Sequence, residues 1–266
     1  MSATPATHQP CLLPTSARCP VAPRGIRSRL VQAAGAGLLL GAAGIAGAAD
    51  LNNFGSLTQQ EFRLLSEDFG ATLSYKGLVP AESLGVTGFD ISVGVTGAEF
   101  QHADLLRRVA GDVDLAGTVA IPSLRVVKGL PGNVDIGGYV AGISSTDARL
   151  IGAELRWAFI EGNTVLPAVA VRGAATKITG VDQLDFMTGS IDISVSKGIL
   201  NFTPYGGIGR IWVKSEVDTA LGLQSESLGM TRVFAGVNVN LGLNLAIEVD
   251  RTGDLTTYGV KAGIRF

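Results

Sequence analysis

The sequence predicts an all-β protein, a closed antiparallel transmembrane β-barrel of about ten strands with a short N-terminal amphipathic helix. Three observations carry that expectation. Apolar residues recur at every second position from Gly88 to the end of the chain. Short and long connections alternate between the segments that show this period. Glycine is abundant, 36 of 266 residues, in a chain that is 46% hydrophobic and only 17% charged, with a mean hydropathy of +0.34. That composition excludes disorder, and the glycines lack the triplet period of collagen. Beyond residue 49 no apolar stretch is long enough for a spanning helix.

The first 49 residues stand apart. They contain no Asp or Glu and four arginines, Arg18, Arg24, Arg27 and Arg29, followed by an apolar Ala/Gly/Leu run ending in small residues. Residues 1–49 therefore read as a secretory signal peptide cleaved after Ala48 or Ala49. The leader takes four of the 21 basic residues, leaving about 17 against 23 acidic ones and a mature net charge of about −6. Such a balance argues against nucleic acid as a partner. Cys11 and Cys19 leave with the leader, so the mature chain has no thiol and no disulfide to staple it.

Residues 50–87 form a helix and linker. Thr58 and Glu61 have the spacing of a capping box, Leu57 and Phe62 that of a hydrophobic staple. Phe62, Leu65, Phe69 and Leu73 then recur at helical spacing, which gives an amphipathic helix of roughly three to four turns. Two placements are open to it, a plug in the lumen or a helix at the periplasmic rim.

Residues 88–266 form the barrel. Ten segments of period two begin near residues 88, 118, 133, 148, 164, 185, 202, 228, 243 and 255. Phe89, Ile91, Val93 and Val95 alternate with Asp90, Ser92, Gly94 and Thr96; Ile151, Ala153, Leu155, Trp157 and Phe159 with Gly152, Glu154 and Arg156. Connections such as 129–133 and 161–163 are tight, whereas 101–117, 176–184 and 214–227 are long and polar. Residues 144–147 and 251–254 are short where a long loop is expected.

Alternation alone does not say which face is wet. The polar parity carries mostly Gly, Ala, Ser, Thr and Asn, too few charges for a soluble surface, so the apolar parity is expected to face lipid and the polar parity the lumen. Phe89, Trp157, Phe159, Tyr205 and Phe266 then make an aromatic girdle at the end holding both barrel termini, while Trp212, Phe234 and Tyr139 fall on the inward parity. A spanning sheet leaves no unpaired edge in lipid, so the first strand must pair with the last.

The chain ends in LTTYGVKAGIRF, with Tyr258, Val260, Ala262, Ile264 and Phe266 on alternate positions. This resembles the C-terminal β-signal of the Gram-negative outer-membrane β-barrel superfamily. The resemblance implies an outer-membrane location, outer-membrane lipid as surroundings, and recognition of those five residues by the barrel-assembly machinery.

On the inward parity the sequence places Asp90, Asp135, Glu154, Asp192, Glu248 and Asp250 against Arg125, Arg156, Arg172, Arg210, Arg232, Lys261 and Arg265. They form either a charged conduit or ligand site, or a structural network of mutually satisfied charges. Gly94, Gly152 and Gly236 on this face would let bulky lumenal groups approach the wall. No cofactor or metal is expected, because Cys/His clusters and calcium-loop spacing are both missing. His102, with Asp104 two residues on, is the one pairing that could serve a hydrolase. The expected function is a narrow channel or transporter for a small or amphiphilic molecule. The alternatives are a structural or surface-interaction barrel acting through its extracellular loops and, third, a barrel hydrolase.

Overall fold

A computed structural model describes residues 53–110, 118–143 and 148–266. The expected signal peptide lies outside the described residues, as do the short connection 144–147 and part of the loop after the first strand.

Ten strands form one closed antiparallel barrel: β1 (Phe89–Glu99), β2 (Thr118–Leu130), β3 (Val134–Gly142), β4 (Arg149–Ile160), β5 (Ala168–Thr179), β6 (Leu184–Ser196), β7 (Phe202–Val217), β8 (Glu226–Asn240), β9 (Asn244–Thr252) and β10 (Leu255–Arg265). Each strand pairs with its neighbours in sequence, and β1 closes the ring on β10, with Asp90 opposite Arg265 and Gly97 opposite Tyr258. The fifth strand begins four residues later than its period suggests, because Asn163 builds a turn by accepting from the amides of Val165 and Leu166, both 2.8 Å.

The apolar parity points outward. Ile91, Leu124, Ile136, Ile151, Leu155, Ile191, Ile193, Val233, Ile247 and Ile264 are exposed, Ile247 to 61%. An apolar belt on that scale is foreign to a soluble monomer and is the surface a bilayer takes. Trp157, Phe159, Phe202 and Phe266 are exposed at the end carrying the short turns, where Phe266 also exchanges backbone hydrogen bonds with Phe89.

The lumen is filled by the segment ahead of β1. Helix α1 (Gln59–Leu73) starts at the expected capping box: the Glu61 amide donates to Thr58 Oγ1, and Glu61 Oε2 accepts from the Thr58 amide at 2.8 Å. Its Phe62, Leu65, Phe69 and Leu73 are buried, packed with inward residues of the wall including Ile121, Leu150, Phe186, Ile211 and Val213. The helix leans on β7, β8 and β10. A second helix, α2 (Ala103–Ala110), caps this mouth with Leu105, Leu106 and Val109, where the sequence suggested only a polar loop.

From α1 the chain descends the whole lumen. At the long-loop mouth Gln59 bonds Gln224 and Glu226, and Arg108 bonds Glu61. At the short-turn mouth Lys128 holds the carbonyls of Val86 and Gly88, and β1 begins.

Candidate functional site

Inward-facing strand positions place their side chains against the descending segment, so the wall's polar groups and that segment's backbone form one site. The lumen divides into two parts. Around α1 it is apolar; around residues 74–87 it is charged.

Arg232 stands at the centre of the charged part and is fully buried. Its Nε pairs closely with Asp250, its Nη2 lies 3.3 Å from Glu248, and its Nη1 donates to the Tyr75 carbonyl at 2.7 Å, with the guanidinium over the Phe234 ring. Lys76 joins from the segment, bonding Asp250 and the Ala71 carbonyl, each at 2.8 Å. Glu248 accepts from the Leu78 amide at 3.2 Å and from the Tyr205 hydroxyl at 3.0 Å. Arg172 bridges Asp192 at 2.9 Å and Glu154 at 3.7 Å.

Nearer the short-turn mouth, Arg156 is gripped by Asp135 and donates to the Pro80 carbonyl at 2.7 Å. Asp135 also accepts from Ser83 Oγ and the Leu84 amide, both at 3.0 Å. Asp90 pairs with Lys261 at 2.8 Å and with Arg265 at 3.5 Å. Arg125 differs. It donates to the Lys76 carbonyl and to Ser123, and lies over the rings of Tyr75 and Tyr139, without a carboxylate in ion-pair reach among the described residues.

The structure thus gathers Asp90, Arg125, Asp135, Glu154, Arg156, Arg172, Asp192, Arg232, Glu248, Asp250 and Lys261 inside the barrel. Arg210 is corrected. It is exposed on the outer face, its guanidinium lying along Gly229, where a methyl group would sit 3.0 Å from Nη2. Trp212 also faces out, and Tyr205 faces in. The cause is the plug: Ile211 and Val213 point inward onto α1, so both parities of upper β7 are apolar and its register cannot be read from polarity.

The segment's contribution was not legible as a site. Lys76 and the carbonyls of Tyr75, Lys76 and Pro80 carry it, and the one signal was a lone lysine in an otherwise apolar stretch. Gly77 lets the chain pass against Arg172, whose guanidinium occupies the space a Cβ would need. Gly152 and Gly236 give the same clearance to Tyr139 and Tyr205.

His102 meets Asp68 of α1 rather than Asp104: the Asp68 carboxylate accepts from the His102 amide at 2.8 Å and lies 3.2 Å from Nδ1. Burial raises the Asp68 carboxyl above its ordinary range, and the His102 contacts pull it back. Among the described residues no hydroxyl is bonded to this imidazole, and no three metal-ligating side chains converge. Four residues of the C-terminal alternation lie on alternate positions of β10 and Phe266 follows directly after it, with Tyr258, Val260, Ile264 and Phe266 exposed.

Fold and site together define a closed antiparallel barrel with an apolar outer belt and a lumen occupied by its own N-terminal segment. No family model and no curated protein sequence matches the chain. Solved structures similar to it include outer-membrane β-barrel proteins. One is the N-terminal barrel domain of OprF from Pseudomonas aeruginosa, 10% identical over 68% of this chain and 99% of that one, TM-score 0.36. Another is the translocator domain of the autotransporter NalP from Neisseria meningitidis, 11% identical over 78% and 94%, TM-score 0.32. A third is Ail, the attachment invasion locus protein of Yersinia pestis, 16% identical over 67% and 98%, TM-score 0.29.

Proposed function

We propose that this chain is exported by a cleaved signal peptide, inserts into the outer membrane, and works there as a narrow channel or transporter for a small or amphiphilic molecule, held shut at rest by its own N-terminal segment. The supporting observation is how residues 74–87 are held. Arg232, Arg125 and Arg156 donate to the backbone carbonyls of Tyr75, Lys76 and Pro80, and Glu248, Ser196 and Asp135 accept from the amides of Leu78, Ala81 and Leu84. Hydrogen bonds of this kind exchange for water at a net cost of about 0.5–3 kcal/mol each. The strap also buries Tyr75, Leu78, Val79 and Ala81, so its release costs apolar burial as well as these exchanges, and what it leaves behind is a wall of charged side chains.

A second reading is favoured by α1, whose apolar face is fully built into the upper lumen. On that reading the barrel is permanently sealed and acts through its long loops. Planar-bilayer recording separates the two. The full chain should show rare openings, and a chain lacking residues 53–80 should conduct steadily. A full chain that never opens while the deletion variant conducts would favour the sealed barrel.

A further inference from the structure

We propose that the lumen holds a binding site for one small monovalent anion, of the size of chloride, which cross-links the plug to the barrel wall. The site is a cavity between the end of α1 with the residues just after it and the wall formed by β1, β2 and β3. Thr72 and Lys76 line it from the plug, and Thr96, Ser123, Arg125 and Tyr139 from β1, β2 and β3. It offers about the space of a single water-sized species.

Its chemistry is one-sided. Two cations line it, and no Asp or Glu does. Lys76 is already neutralised by Asp250, but Arg125, 4% exposed, has no carboxylate within ion-pair distance among the described residues. Of its donors, Nε serves Ser123 and Nη1 the Lys76 carbonyl, while Nη2 meets no acceptor among the described residues. The Thr72 hydroxyl, 2% exposed, is likewise without a partner. A buried cation demands a counter-charge or a full set of acceptors. Tyr75 and Tyr139 supply only ring faces, at 5.4 and 4.8 Å from the guanidinium carbon. An unpaired guanidinium nitrogen, a free hydroxyl and an ammonium around an ion-sized space make a donor set that an anion completes. A water molecule would satisfy the hydrogen bonds and leave the charge. Because the donors come from both plug and wall, the anion ties one to the other.

The test uses the full mature chain in detergent. Its unfolding midpoint, read by heat-modifiable mobility, is compared in sodium chloride, sodium bromide and sodium gluconate at equal ionic strength. Chloride and bromide should raise the midpoint by a few degrees over the bulkier gluconate, and bromide-soaked crystals should show an anomalous peak between Arg125 and Thr72. Arg125→Gln should erase the halide preference. Should that variant fail to fold, Thr72→Val, which removes one donor and leaves the charge, should weaken it. Equal midpoints in all three salts, or ordered water without an anomalous peak, would overturn the proposal.

Discussion

Arg232 concentrates the energetics of the lumen in one side chain. It meets Asp250, Glu248 and the Tyr75 carbonyl while fully buried, so its removal strands two carboxylates in a low-dielectric interior. Arg232→Met should cost about 3–5 kcal/mol in a urea titration of the refolded barrel. Adding Asp250→Asn should return part of that loss, because the two sites share one network. At Gly77 the argument is steric: a Cβ there meets the Arg172 guanidinium. Gly77→Ala should push Arg172 away from Asp192 and destabilise the barrel by about 1–3 kcal/mol, measured by the same titration. The inward charges were legible at this scale because a charge on a period-two stripe has only one sheltered side. Arg210 was not, since nothing on its own strand tells which stripe is sheltered once apolar residues occupy both.

The elements show where the pattern of the sequence suffices and where it needs the partner surface. Strand positions, the β1–β10 seam and the start of α1 follow from local rules, period two and a capping box. Helix α2 escaped because Leu105, Leu106 and Val109 span barely two turns within a charged loop, and only the buried top of α1 gives them something to cover. The location of α1 in the lumen likewise depends on the apolar inner wall of β6 and β7, which reads as an outer face when taken alone. The helix start makes a pH prediction. Hydrogen bonds from the Thr58 backbone and Arg108 lower the Glu61 carboxyl from 4.5 to about 2. A lowered folded value stabilises above the unfolded one and is lost as pH falls through the folded one. Hydrogen-exchange protection at the start of α1 should therefore decline between about pH 4.5 and about pH 2, and Glu61→Gln should flatten that dependence. Asp68 acts oppositely: its value is raised by burial, so its contribution is present at low pH and fades as pH rises through the raised value.

At the scale of the whole molecule, the helix and strap run from the long-loop mouth to the short-turn mouth before β1 turns back. On the outer-membrane reading proposed above, the short turns face the periplasm, which puts Gln60 at the cell surface and Leu200, 99% exposed, at the opposite end. No cysteine follows Cys19 in the sequence, so with the leader removed as proposed above single cysteines report cleanly. Gln60→Cys should react with a membrane-impermeant maleimide on intact cells, and Leu200→Cys only after the outer membrane is opened. The reverse pattern would invert the sidedness.

That path also has a topological meaning. A polypeptide that passes through a ring and then becomes the first stave of that ring is a thread in a hoop made of itself. The hydrogen-bonded seam between Phe89 and Phe266 is its clasp. Such a thread comes free in two ways: it slides out along the axis, or the clasp opens sideways.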